Sequence, residues 1–395
     1  MNRLTMEQVT NEETERNHPN NPLGVLMLPQ TCPPDVGGVE THVLDLIAAL
    51  KDHPDYQTWI VAYKPIVTNI KSYLPVEVQG RVTIRRFWWL GGNLFRKLEF
   101  SPPLVFLYIV PYFMIRLFFY IVPRVNRIDV IHAHGINMAV VGLAFAKLFR
   151  KRVVFQSHAL YSFKQGSLFA KVAAFVLKRM DAVIALCEKS RQEMIGLGVD
   201  PKKTSLYWHW VDLKRFSPVG KKRQPNFTAF FAGRLMEIKG ENVVIELARR
   251  FPIVHFIIAG CGPNEQAVRE AAAKMKNLEF LGLIDNSKIN EYYRDADVVL
   301  LPSQYPEGVP RVICEAIACG TPMLASDMGG ISHALDNTVG VLCDTSVESF
   351  ASALQRMIAD PAWYQALKAN TRPYAEKKFS IANAEMIFSK YRGTK

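Results

Sequence analysis

The chain has 395 residues, 49% hydrophobic and 21% charged, which suits two domains with full cores and excludes a disordered or fibrous protein. Its formal net charge of +12 favours anionic partners, whether nucleotide phosphates, acidic lipids or nucleic acid. No zinc-finger spacing, glycine–aromatic RNA-binding signature or bipartite basic run occurs, which argues against nucleic acid.

Residues 1–21 are polar, lack the apolar core of a secretory signal, and are expected to form a flexible tail. Leu23–Pro29 is a short apolar run that predicts a first buried strand. It leads into the Pro- and Gly-punctuated loop Thr31–Gly38 and then Val39–Leu50, where apolar residues recur at helical spacing. A strand, a glycine loop and a helix open a doubly wound α/β domain. Gly37 and Gly38 would let backbone N–H groups approach a phosphate or polar sugar at the helix start, or would only make the turn. Thr58–Tyr63, Asp129–His134, Arg152–Gln156 and Asp181–Leu186 predict further parallel strands, with helical stretches between them.

Two stretches depart from this alternation. Phe87–Leu90, FWWL, is an aromatic cluster followed by Gly91-Gly92. Phe100–Pro123 is almost wholly apolar, with Arg116 its only charge, and is long enough to span a bilayer. Pro111, Arg116 and the need to keep one sheet on one side of a membrane favour a helix lying in the membrane interface, with Arg116 reaching the headgroups and Arg124 and Arg127 supporting it. A core helix is the first alternative and a span the second. The basic amphipathic stretch Gly166–Met180 would either add to the same surface or simply pack on a sheet, and Phe145–Arg152 adds positive charge nearby in sequence.

Val219–Pro225 is a polar, Pro-bounded link that marks a boundary between domains at 22–218 and 219–378. Beyond it, strands at Asn226–Ala232, Val254–Ala259, Leu278–Leu281, Val298–Leu301 and Pro322–Ser326 alternate with helices at Asn242–Arg250, Glu265–Met275 and Ile289–Arg294. Helices over Val347–Glu376 and Ile381–Tyr391 close the chain, and residues 379–395 are expected to pack back towards the N-terminal domain. Six cysteines lie without any C-x-x-C pair, mostly in apolar runs, which favours reduced thiols in the cytosol and speaks against zinc. No metal or catalytic-serine motif occurs.

The chemistry-bearing groups gather in Phe231–Gly240 and Leu301–Gly330. Arg234 follows a predicted strand and Lys239 precedes a helix, a pair of cations that would either form surface salt bridges or make an anion site at the edge where open α/β sheets bind ligands. Glu307 sits on a loop and Glu315 inside the following helix, with Pro310 placed in the first turn and Gly320 just past the end. At ~1.5 Å per residue the two carboxylates lie on the order of 10 Å apart, too far for one reacting bond but suited to separate hydroxyls of one long ligand. Gly329-Gly330 offers a second backbone approach at the same edge, and His158 lies just past a strand. Ala259–Pro263 resembles only half of a dinucleotide fingerprint.

GRLMEIKG, LPSQYPEG, the Glu307-x7-Glu315 pair, EAIACGTPMLAS and the Gly-Gly turn resemble the retaining glycosyltransferases of family 4. PPDVGGVETHVLDL, DVIHAHG, QSHA and VDLKRFSP have counterparts there in the same order, so the resemblance runs from Leu23 to Arg392. It implies an α/β GT-B fold, two doubly wound Rossmann-like domains facing a cleft. It also implies a nucleotide-sugar donor, bound as substrate, with no cofactor and no obligatory metal. By position, Arg234 and Lys239 would neutralise the diphosphate and Glu315 would bind the ribose. Glu307 and His158 would lie at the transferred sugar, and Gly38 would meet phosphate or sugar through its amide. The chain departs from the family pattern at His209-Trp210, at His333 and at Val309. The implied activity is retaining transfer of a hexosyl group from a UDP- or GDP-sugar to a glycolipid or lipid-linked saccharide at the cytosolic face of a membrane. A sugar-nucleotide epimerase or a non-catalytic membrane scaffold would share the fold.

Overall fold

The computed structural model describes residues 21–393 apart from 36, 68–69, 91–93, 99–100, 165 and 222–224, and apart from the side chains of 96 and 102. Residues 1–20 of the expected tail and the Gly91-Gly92 pair lie outside the described residues. The chain divides into two compact units. The first holds residues up to Gln156, Gln165–Val183 and Ser389 onward; the second holds Ser157–Lys164 and Ile184–Phe388.

The first sheet has eight strands: β1 (Leu23–Pro29), β2 (Tyr56–Tyr63), β3 (Val76–Gln79), β4 (Val82–Phe87), β5 (Val130–His134), β6 (Arg152–Gln156), β7 (Ala182–Ala185) and β8 (Thr204–Leu206). Their order is β3-β4-β2-β1-β5-β6-β7-β8. β1 pairs in parallel with both β2 and β5, so strand order reverses between β1 and β5. Every residue of β5 is buried, which is why that run carries no alternation: helices cover both faces of such a strand. Helices α1 (Gly38–Leu50), α2 (Pro102–Ile121), α3 (Ile136–Phe149) and α4 (Leu168–Leu177) belong to this unit.

Three strands, β3, β4 and β8, lack the apolar runs that predict the others. β3 alternates exposed and half-buried residues and pairs antiparallel at the sheet edge, so little of it needs to be apolar.

The long apolar helix α2 has one buried and one exposed face. Val105, Ile109, Phe113, Leu117 and Ile121 are buried, with the Phe113 ring against Tyr63 and Phe87. Leu104, Leu107, Pro111, Ile115, Phe118 and Phe119 form the exposed stripe. Among the described residues it is the one helix long and apolar enough to cross a membrane. A span would strip the inner stripe from its sheet.

The second sheet has six strands, β9 (Thr228–Ala232), β10 (His255–Ala259), β11 (Leu278–Gly282), β12 (Val298–Leu301), β13 (Met323–Ser326) and β14 (Gly340–Cys343), all parallel. Their order is β11-β10-β9-β12-β13-β14, which reverses between β9 and β12. Helix α5 (Glu241–Arg250) follows β9 and α6 (Arg311–Ala318) follows β12. The continuous helix expected over Val347–Glu376 is two helices, Val347–Ala359 and Pro361–Lys378. Pro361 takes the first helical position, and the Asp360 side chain accepts the Trp363 N–H, so the chain stops and restarts there. Pro310 likewise stands just before α6, with ψ 130°, rather than in its first turn.

Candidate donor site in the second unit

Five candidate residues of the second unit come from loops after three adjacent strands. Arg234 and Lys239 follow β9, Glu307 follows β12, and Gly329-Gly330 follows β13. The order reversal between β9 and β12 opens a crevice at the strands' carboxyl ends, the place where α/β sheets receive ligands.

Lys239 reaches this crevice because Gly240 has a positive φ of 77° and no side chain. A Cβ there would lie 1.9 Å from the Pro302 carbonyl oxygen, so only glycine lets the loops after β9 and β12 approach this closely. The approach brings Lys239 Nζ to 2.5 Å from Glu307 Oε2, a charge-assisted pair with both side chains largely shielded from solvent. The other carboxylate oxygen of Glu307 accepts a hydrogen bond from the Ser303 hydroxyl. Ser303 is fully buried and no sequence signal singled it out, since a serine four residues before a glutamate has many other uses. Lys239, expected at the diphosphate, is therefore also the residue that holds Glu307.

Arg234 is half-buried at the end of β9. Its loop is seated by the turn Gly260–Gly262: the Leu235 N–H donates to the Cys261 carbonyl at 3.0 Å. A Cβ on Gly260 would meet the Gly233 carbonyl oxygen at 1.8 Å, and one on Gly262 the Leu235 carbonyl oxygen at 2.2 Å. The glycines that resemble half of a dinucleotide fingerprint thus allow backbone packing beneath Arg234.

Gly329-Gly330 has the same kind of role. The expectation was a backbone approach to ligand, but the Gly330 N–H donates to the Glu307 carbonyl at 2.8 Å. Gly329 has φ 66°, and a Cβ there would lie 2.1 Å from that same oxygen. The turn latches the Glu307 loop.

Glu315 lies inside α6 and is 8% exposed, with Arg311 Nε 3.5 Å from its Oε1. Burial and the nearby Glu315 carboxylate hold the Tyr293 hydroxyl protonated, well above its ordinary range. Glu315 and Glu307 face different partners, Arg311 and Lys239.

His158 belongs to this second unit, close enough to His209 for their charges to interact. Desolvation lowers the His158 imidazole to about 4, and burial, Arg311 and His158 lower that of His209 well below its usual range. Both rings are neutral at neutral pH. The unfolded chain titrates near the ordinary value of 6.5, so between 6.5 and 4 it binds more protons than the folded chain. The stability carried by these neutral rings is present above 6.5 and is lost as pH falls towards 4. The melting temperature is expected to drop between about pH 7 and about pH 5, less steeply for His158→Gln. Identical slopes in calorimetric scans of the two proteins would refute this.

Two departures from the family pattern bracket a stacked pair. Trp208, beside His209-Trp210, packs face to face on His333, with ring centroids 4.1 Å apart and an interplanar angle of 12°. His333 stands three residues after Gly330, so the stack adjoins the loop that carries Glu307. Val309, the third departure, is buried.

In the first unit, Gly38 is exposed at the start of α1, with nothing within 4 Å of where a Cβ would sit. Gly37 is extended, and its missing side chain leaves room for the Glu40 carboxylate. Glu40 was not anticipated. It is 6% exposed, and burial raises its carboxyl above the usual range. Gln30, at the end of β1, accepts a hydrogen bond from Asn137 Nδ2 in the first turn of α3, at this unit's own order reversal. All six cysteines are free thiols, and no cluster of metal-ligating side chains occurs among the described residues.

Comparison with known proteins bears on the family and the fold. Residues 36–215 match the model described as Glycosyltransferase Family 4, and residues 214–377 match Glycosyl transferases group 1. A human phosphatidylinositol N-acetylglucosaminyltransferase subunit is 24% identical over 369 residues, covering 88% of this chain and 70% of that protein. A D-inositol 3-phosphate glycosyltransferase of Gordonia bronchialis is 27% identical over 302 residues, covering 67% of this chain and 65% of that one. Among solved structures, sucrose-phosphate synthase of Thermosynechococcus elongatus superposes with a TM-score of 0.77 at 21% identity, over 94% of this chain and 98% of its own. HepE of Anabaena, solved with UDP, has a TM-score of 0.73 at 20% identity, over 93% and 99%. The chain belongs to glycosyltransferase family 4 and has the two Rossmann-like halves of the GT-B fold.

Proposed function

We propose that this protein transfers a hexosyl group, with retention of anomeric configuration and without an obligatory metal, from a UDP- or GDP-sugar to a lipid-linked acceptor at the cytosolic face of a membrane. The observation that carries the reading is the Lys239–Glu307–Ser303 cluster at the strand-order reversal, with Arg234 on the neighbouring loop. The bond from the sugar's anomeric carbon to the diphosphate breaks, and the acceptor oxygen takes its place on the same face of the ring. The acceptor's proton leaves with the diphosphate. Arg234 and Lys239 stabilise the charge that grows on the departing phosphate oxygens, where fixed cations lower a barrier most. Glu307 and neutral His158 orient the sugar, and Glu315 holds the ribose. In the first unit, Gly38 is the glycine whose open backbone would meet phosphate or sugar. Two relatives are named for inositol-bearing acceptors, one of them a phospholipid, which supports a lipid-linked acceptor.

A panel of nucleotide sugars in a thermal-shift assay tests the donor. A true donor at roughly a hundred times its Kd should raise the melting temperature by ~5–10 °C. No shift with any UDP- or GDP-sugar would leave the scaffold reading. Incubation with the stabilising donor and no acceptor addresses the epimerase: isomerised donor would identify one, whereas a transferase returns the donor unisomerised.

A further inference from the structure

The exposed stripe of α2 is one side of a larger face. α3 packs against both α2 and α4, and α4 adds exposed Leu168, Val172 and Phe175. Leu107, Ile115 and Phe119 on α2 are 66%, 58% and 71% exposed, and a continuous apolar surface of this kind marks an interaction site in a soluble protein. Its charge is one-sided: residues 101–180 hold eleven lysines and arginines and a single acid, Asp129. That acid is already occupied by the Gly24 N–H. Lys147 and Arg150 lie exposed at the end of α3, and Lys171, Lys178 and Arg179 along and just beyond α4. The Arg179 guanidinium lies 3.7 Å from the Phe175 ring centroid, an apolar body with a cationic tip. Between α2 and α3 runs a groove of about 420 Å³ lined by Met114, Ile115, Phe118, Phe119, Ala144 and Leu148.

We propose that this α2–α3–α4 face docks the first unit onto an anionic lipid bilayer, with α2 lying along the surface and the groove receiving alkyl chain. The inference rests on the membrane reading above and names the surface that serves it. A second copy of the chain would set the cation-rich rim against itself; an anionic surface turns the same charge into attraction. Trp88 fixes the depth. It is 57% exposed, follows the last residue of β4, and is tied to α2 because the Tyr108 hydroxyl donates to the neighbouring Leu90 carbonyl at 2.5 Å. An indole there belongs at the headgroup level, which brings the carboxyl ends of β2 and β4 beside the lipid headgroups.

The test is flotation of the full chain with phosphatidylcholine vesicles, with and without phosphatidylglycerol, beside sedimentation without vesicles. Wild type is expected on the anionic vesicles, at least ~10-fold less on neutral ones, and to be released by salt. Ile115→Glu and Phe119→Glu should each reduce the bound fraction ~10-fold while keeping the melting temperature and the shift with nucleotide sugar. Variants that float like wild type overturn the proposal. So does a wild type that ignores vesicles but forms dimers that Phe119→Glu disperses. Normal flotation without any nucleotide-sugar shift would fail the donor reading and leave the surface standing.

Discussion

Replacing Lys239 by alanine is expected to lower turnover ~10²-fold or more, and Arg234→Ala by a similar factor, the loss typical of one electrostatic partner in a transition state. For Lys239 the geometry adds a second route, because its ammonium is 2.5 Å from Glu307 Oε2. Removing it frees the carboxylate to rotate and leaves its charge without that cation in a shielded pocket. A double-mutant cycle with Glu307→Gln separates the two routes. If Lys239 acts only by holding Glu307, its removal in the Glu307→Gln background costs nothing further. If it also meets the diphosphate, a further ~10-fold loss remains, and that is the expected outcome. Turnover near wild type in both Arg234→Ala and Lys239→Ala would end the phosphate-site assignment.

Gly240→Ala is expected to be the most damaging conservative change in the site. A left-handed alanine costs about 1–2 kcal/mol, and relieving a contact of 1.9 Å with the Pro302 carbonyl adds a packing strain of similar size. A total of about 2–4 kcal/mol would lower the melting temperature by ~5–15 °C in a unit of this size. Turnover should fall with it, since Pro302 neighbours Ser303 and Gly240 neighbours Lys239. Gly38→Ala is the contrast. Nothing lies within 4 Å of its Cβ position and its φ is not positive, so its melting temperature should stay within about 1 °C of wild type. Turnover should nevertheless drop, because a methyl group there blocks the open approach to the helix start. A large stability loss in Gly38→Ala, or none in Gly240→Ala, would reverse the roles given to these two glycines.

The two glycines illustrate what one sequence can and cannot resolve. Both stand beside a helix start in the sequence, and only the backbone they face separates them. The Gly329-Gly330 turn was expected to meet a ligand for the same reason. A glycine's freedom is visible in the sequence, but the atom that takes the vacated space belongs to a residue far away in the chain. For Gly329 that atom is the Glu307 carbonyl oxygen.

The strand cores were legible from β1 to β13 wherever a parallel strand is buried on both faces, because such a strand must be a short unbroken apolar run. Edge strands carry no such requirement, so β3 left no comparable trace. α2 was ambiguous for a different reason. Composition alone cannot divide an all-apolar helix into faces, and the division comes from β2 and β4, whose Tyr63 and Phe87 claim the Phe113 side.

The sequence by itself determined the alternation of strands and helices, the cation and carboxylate positions and the family they resemble, because these depend on local pattern and spacing. Tertiary structure decided which of those groups meet. The order β9-β12-β13 sets Lys239, Glu307 and the Gly329-Gly330 turn side by side although they are dozens of residues apart. Strand order is fixed by how helices cover the sheet, a property of the whole unit that no local stretch of residues encodes.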